Sequence, residues 1–351
     1  MKRFSRSLRL SLLLVAVSAA GAARAQYEVP MPGDPDVQAQ QKREESQPGN
    51  NAPVWRDARS GQTGFTSLPG REMGVLIQSG GETWRQIRNG PVMFYGGWLV
   101  LLTLIAILAF YFWKGPVRVH APPTGRLIHR FNAVERVVHW STALSFCLLG
   151  VTGLIMFFGK HVLLPWLGYT LFAWLATAAK AFHNFIAPLF IVSVLAMIVL
   201  FIKDNFPRLY DLRWFARAWA VMARGEHVPT GRFNAGEKGW FWFGVVGLSI
   251  VVSWSGLLLL FPNFDQTRAV MQQAWIWHAT AALLYIAIAL GHIYLGTIGL
   301  EGSYQAMRTG YVDETWAKEH HEYWYNEVKS RKGAAPGGAV PAGAPHMKEK
   351  S

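Results

Sequence analysis

The chain has 351 residues, 51% of them hydrophobic, and a formal net charge of +13. Such a charge would suit a soluble nucleic-acid binder, but several long uninterrupted apolar runs exclude that class. In a membrane protein, excess Lys and Arg belongs to loops facing anionic lipid. The single cysteine, Cys147, cannot form an internal disulfide, and neither CxxC nor CxxCH occurs. Covalent c-type haem and a thiolate-bound iron–sulfur cluster are therefore not expected.

In chain order, residues 1–25 read as a signal peptide: a basic start (MKRFSRSLRL), a short apolar stretch and the small-x-small site Ala23-Arg24-Ala25. The alternative is an uncleaved anchor, because Arg24 weakens the site. Residues 26–90 are polar and rich in Pro, Gly and Gln, and read as a translocated, largely irregular segment. Five apolar runs follow at about 94–113, 137–158, 182–202, 240–261 and 274–299, each long enough to cross a bilayer as a helix. No period-two alternation suggests a barrel, so an all-α transmembrane bundle is expected. Its parts are an additional helix at 91–114, a four-helix domain at 125–300 and a tail at 301–351.

Loop charge gives the orientation. Loop 114–136 holds Lys114, Arg118, Arg126, Arg130 and Arg136, and loop 203–239 holds seven basic residues from Lys203 to Lys238. Loop 159–181 holds two, Lys160 and Lys180, and loop 262–273 holds Arg268 alone. Basic loops stay inside. The mature N-terminus is thus expected outside a bacterial inner membrane and the tail inside.

Four histidines lie in or at the ends of apolar runs: His139, His183, His278 and His292. Ionisable residues there are costly and tend to mark function. Any one alone is more readily a satisfied core histidine, but their depths pair. His278 and His292 are fourteen residues apart, which is about 21 Å of helix and within about 40° of one face. His183 matches His278 in depth, at the outer side, and His139 matches His292, at the inner side. Two stacked bis-imidazole sites suit b-type haem, whereas zinc would take three or four ligands at one level. Gly150, Gly153 and Gly291 either let a flat ring approach the backbone or serve helix packing.

Several stretches resemble the cytochrome b (gamma) subunit of respiratory formate dehydrogenase: RVVHW (136–140), FHNFIAPLF (182–190), GRFNAGEK (231–238), WHATAALLYIAIALGHIYLG (277–296) and EGSYQAMRTGYVDETWAKEHH (301–321). The resemblance covers about 125–327, with the helix at 91–114 outside the family's four-helix core. It implies two b-type haems, the outer held by His183 and His278 and the inner by His139 and His292. It also implies a menaquinone or ubiquinone pocket at Asn234 and Gly236, beside His292. Glu237 is a candidate proton relay there. Read from residues alone, the Asn-Ala-Gly run is equally a turn and helix start.

The implied partners are an iron–sulfur (beta) subunit and a molybdenum or tungsten (alpha) catalytic subunit that oxidises formate; nothing in this chain resembles a pterin site. Membrane lipid is expected around the bundle, and no nucleic acid. His320 and His321 read as surface or docking residues, while His161 and His227 receive no role. Two rival functions remain at this point. One is the same architecture serving a nickel–iron hydrogenase or a thiosulfate or other reductase, and the other is a transport or assembly protein whose histidines bind no haem.

Overall fold

The computed structural model describes residues 80–264 and 266–334, with isolated residues at 42, 45–46, 64–65 and 75–77. The expected signal peptide, nearly all of segment 26–90 and the chain end from 335 lie outside the described residues. Strands β1 (Gly64–Phe65) and β2 (Val75–Ile77) pair antiparallel in a small unit of their own.

Within the larger unit, five helices are long and apolar enough to cross a membrane: α1 (Gly81–Lys114), α2 (Ala133–Val162), α3 (Leu164–Asn205), α6 (Ala235–Leu260) and α7 (Arg268–Gly299). Short helices α4 (Leu209–Ala216) and α5 (Ala218–Arg224) connect α3 to α6. The fold is the all-α transmembrane bundle the apolar runs imply, with one helix added before a four-helix core. Two boundaries differ from expectation. Helix α1 begins ten residues before the expected start at 91, through a π-helical turn at Arg88–Val92 that contains Pro91. Residues 159–181 are not a loop: α2 continues to Val162, only Leu163 intervenes, and α3 starts at Leu164 with a break at Gly168 (φ +71°). The segment is itself apolar (VLLPWLGYTLFAWLATAA at 162–179), so α3 is an apolar helix of 42 residues, longer than one bilayer crossing needs.

α1 buries none of its residues and turns Leu101, Leu102 and Phe112 outward, as a lipid-facing helix does. It docks through Gly96 and Gly97. A Cβ at Gly96 would stand 2.4 Å from Leu283 of α7, and one at Gly97 would stand 3.3 Å from Phe158 of α2. Small residues permit such close approach between membrane helices. The core between α2, α3, α6 and α7 is aromatic: Phe146 packs on Phe190 and Tyr285, and Tyr285 reaches Ser249 at 3.0 Å.

Helices α2 and α6 open on one repeated phrase, Arg-Phe-Asn-Ala-x-Glu, at 130–135 and 232–237. In each, the Asn side chain accepts from the Glu amide and the Glu carboxylate accepts from the Asn amide, a reciprocal cap. The two copies then cross-bond. Arg130 donates to the Arg232 carbonyl (2.9 Å) and to Glu237 (3.2 Å), while Arg232 donates to the Arg130 carbonyl (2.7 Å) and to Glu135 (2.8 Å). Beside this clasp a buried Lys238 meets a buried Asp211 at 2.8 Å, fastening α4 beneath α6.

The tail folds back onto the same end of the bundle. β3 (Leu127–His129) pairs antiparallel with β4 (Tyr311–Asp313), and α8 (Ser303–Thr309), α9 (Glu314–His320) and α10 (Glu322–Ala334) surround that pair. Gly310 holds the turn into β4 at φ +88°, where a Cβ would meet the Phe131 carbonyl at 2.5 Å. The expectation of surface histidines in the tail is overturned here: His321 is 1% exposed, and its neighbour Trp316 is buried. The cause is long-range packing of 311–321 against 127–131 and 230–237, which carries no local period.

Candidate functional site

α7 carries His278 and His292 on one face, and each meets a histidine from another helix. The His183 and His278 ring centroids lie 6.2 Å apart, and those of His139 and His292 lie 6.4 Å apart. The couples are those that depth matching puts together, two levels separated by about 21 Å of α7.

Hydroxyl groups set the tautomers at the His183–His278 level. The Thr152 hydroxyl spends its proton on the Leu148 carbonyl (2.7 Å), so its oxygen accepts from Nδ1 of His183 at 2.9 Å. The Ser255 hydroxyl likewise donates to the Val251 carbonyl (2.5 Å) and accepts from Nδ1 of His278 at 3.2 Å, and the Val252 carbonyl adds a second acceptor at 3.0 Å. With the proton held on Nδ1, the lone pair of each neutral ring is on Nε2. Metal-binding histidines are oriented in this way. Gly153 and Gly256 leave room for the rings: Cβ atoms there would stand 3.5 and 3.1 Å from Cε1 of His183 and His278.

The other level is built differently. Nδ1 of His139 is buried with no hydrogen-bond partner among the described residues. His292 stacks on Trp240 at 4.8 Å with 14° between planes. Trp240 opens a π-helical stretch of α6, Trp240–Leu248, and its ring lies over Gly244, where a Cβ would fall 2.6 Å away. Stretches of this kind recur at functional sites.

An imidazole nitrogen lies about 1.1 Å from its ring centre and a metal–imidazole bond is about 2.0 Å, so two rings facing across one metal place their centres about 6.2 Å apart. Both couples have that spacing. At Gly291, beside His292, a Cβ would meet nothing within 4 Å, which leaves space for a flat ring. Gly150 instead packs on Ile286 at 3.7 Å. The residues present fit a b-type haem at each level.

A cavity of about 750 Å³ adjoins the second couple, lined by His139, His292, Trp240, Asn234, Gly236 and Glu237 among others. The Oδ1 of Asn234 is spent on its cap, accepting from the Glu237 amide at 2.9 Å, which leaves the amide nitrogen as a donor. Gly236 admits the Trp214 ring, whose Cη2 would lie 2.8 Å from an added Cβ. Both Glu237 oxygens are engaged, Oε1 by Arg130 (3.2 Å) and Oε2 by the backbone N–H of Asn234 (2.8 Å). The turn-and-helix-start reading of this run is thus correct, and it leaves the Asn234 donor available. The same cavity is also lined by Glu319, by His227, to which the sequence assigns no role, and by His320, which the sequence reads as a surface or docking residue.

The sequence profile of the prokaryotic cytochrome b561 family matches residues 130–310, just over half of the chain. The chain belongs to that family. It is therefore a multi-pass membrane cytochrome b, and the family implies b-type haem; the matched range starts at Arg130, so α1 lies outside it. The chain is 29% identical over 208 residues to the cytochrome b556(Fdn) subunit of nitrate-inducible formate dehydrogenase from Escherichia coli K12, covering 58% of this chain and 93% of the relative. It is 30% identical over 210 residues to the cytochrome b556(fdo) subunit of formate dehydrogenase from the same organism, with the same coverage. The cytochrome b556 subunit of formate dehydrogenase from Haemophilus influenzae is 27% identical over 211 residues, covering 57% of this chain and 83% of that relative.

Proposed function

We propose that this cytochrome b561 family member is the membrane anchor and electron-transfer subunit of a formate dehydrogenase, reducing quinone on behalf of a formate-oxidising partner. The carrying observation is the two imidazole couples, at 6.2 and 6.4 Å, borne by one face of α7. His183 and His278 are the proposed ligands of one haem, and His139 and His292 those of the other. Bound haem would supply a one-electron carrier at each level. Everything else is done by the chain's own groups. Thr152 and Ser255 hold the Nδ1 protons of His183 and His278 and aim Nε2, and apolar helices surround both levels. Asn234 offers an amide donor to a quinone carbonyl, Gly236 keeps the pocket open beside Trp214, and Glu237 is the proposed proton-handling group at its rim.

The basic loops at 114–136 and 203–239 support an orientation with Asn234 and the tail on the cytoplasmic side and a periplasmic mature N-terminus. The relatives are cytochrome b556 subunits of formate dehydrogenases, which supports formate dehydrogenase partners for this chain; an iron–sulfur subunit and a molybdenum or tungsten subunit are the partners this reading proposes. Affinity purification from membranes tests the reading. Formate-reducible b-type absorbance with co-purifying iron–sulfur and pterin subunits is expected, and a haem-free chain would overturn it. In the same material His139→Ala should lose about half the haem.

A further inference from the structure

One group of titratable residues in the cavity has no part in that mechanism. His320, at the end of α9, lines the cavity that also holds His139, His292 and Asn234. Its ring stacks on Trp316 at 4.9 Å with 9° between planes, and its Nδ1 reaches the Trp316 carbonyl at 3.2 Å. A carbonyl only accepts, so Nδ1 carries the proton and Nε2 keeps a free lone pair.

The adjacent His321 anchors rather than exchanges. Nδ1 donates to the Gly231 carbonyl at 2.8 Å, and Nε2 stands 4.0 Å from Glu237. Thr230 adds a bond to the His320 carbonyl at 2.8 Å and accepts the Tyr323 amide at 3.0 Å. These bonds fix the tail over the loop that opens α6, so His320 is held in a set position. On the solvent side, Nε2 of the half-exposed His227 pairs with Glu322 at 2.8 Å, and its Nδ1 bonds to the Glu319 carbonyl. His227 lines the cavity too. His227 and Glu322 thus stand on the solvent side of the cavity that His320 lines.

We propose that His320 is a second proton relay of this cavity, beside Glu237, taking protons from solvent on the tail side and passing them to the pocket assigned above to quinone. The inference rests on that assignment. Converting one quinone to quinol takes two electrons, delivered through this subunit from a reduced iron–sulfur partner, and two protons, one for each carbonyl oxygen. Each proton forms an N–H bond at Nε2 of His320, and that bond breaks as the proton moves inward, returning the ring to neutral. Burial holds the ring's pKa down at about 4; the Trp316 carbonyl and Glu319 raise it, and Arg130 and His227 lower it further. A ring so placed stays neutral near pH 7 and releases a captured proton readily.

The test uses the intact complex with its haem reduced by formate, following haem reoxidation on adding a soluble quinone or a one-electron acceptor that takes no proton. His320→Gln should slow reoxidation by quinone at least tenfold at pH 7. The rate should recover as pH falls and, in part, on addition of imidazole, while reoxidation by the one-electron acceptor stays within twofold. Quinone rates within twofold of the parent across pH would overturn the relay, as would equal slowing with both acceptors. His320→Asn repeats the test should the glutamine variant assemble with less haem. A parent complex that fails to reduce quinone at all would instead refute the proposed function.

Discussion

Thr152 and Ser255 each spend a hydroxyl proton on their own helix and offer the oxygen to a histidine. Thr152→Val keeps the shape of the side chain and removes that acceptor. In the assignment above it should weaken retention of one haem by about 10-fold or more and leave the other in place. Ser255→Ala should cost less, because the Val252 carbonyl still accepts from His278 at 3.0 Å. Reduced-minus-oxidised spectra after graded detergent washing measure both, and equal losses at both levels would contradict the prediction. None of these hydroxyls stood out in the sequence. A Thr or Ser in an apolar run reads first as a residue bonded to its own helix, and only the partner helix shows which ring it faces. The histidines were legible, because fourteen residues on one helix give depth and face together.

Among the elements, the duplicated openings of α2 and α6 tie the two helical hairpins together at the end that carries the cavity. The buried pair Lys238–Asp211 is the neighbouring fastening, with 5% and 7% of the side chains exposed. Asp211→Ala should destabilise by about 3–5 kcal/mol, because it strands a buried ammonium. A double replacement by Met and Leu should restore most of that loss. Thermal unfolding in detergent, followed by circular dichroism, reads both variants. The tail gives a pH dependence. His320 and His321 are held below the ordinary histidine value, chiefly by burial, His320 at about 4 and His321 well below that ordinary value. The unfolded chain binds those protons first, so docking of the tail is fully stable above about pH 6.5 and weakens as pH falls toward 4. Limited proteolysis across that range should release the tail faster at the acid end; a flat profile would contradict this account. The reading of these two residues as surface groups failed because their burial comes from strand pairing nearly two hundred residues away in sequence.

At the scale of the whole molecule, the bundle and its five spans follow from length and hydropathy alone, and the core differs from expectation only at helix ends. Residues 159–181 belong to helices because the apolar sequence runs on through 162–179 and only Leu163 separates α2 from α3. α1 adds a lipid-facing helix seated on Gly96 and Gly97. Gly96→Leu should unseat it from Leu283, with faster proteolysis between α1 and α2 and little change in haem content. The central claim is that α7 serves two haems with two different histidines. Haem content per chain in purified single variants tests it most directly. His278→Ala and His292→Ala should each retain about one of two haems, with spectra that differ from one another and add to the parent's. Full retention in either variant, or the same residual spectrum from both, would contradict the account.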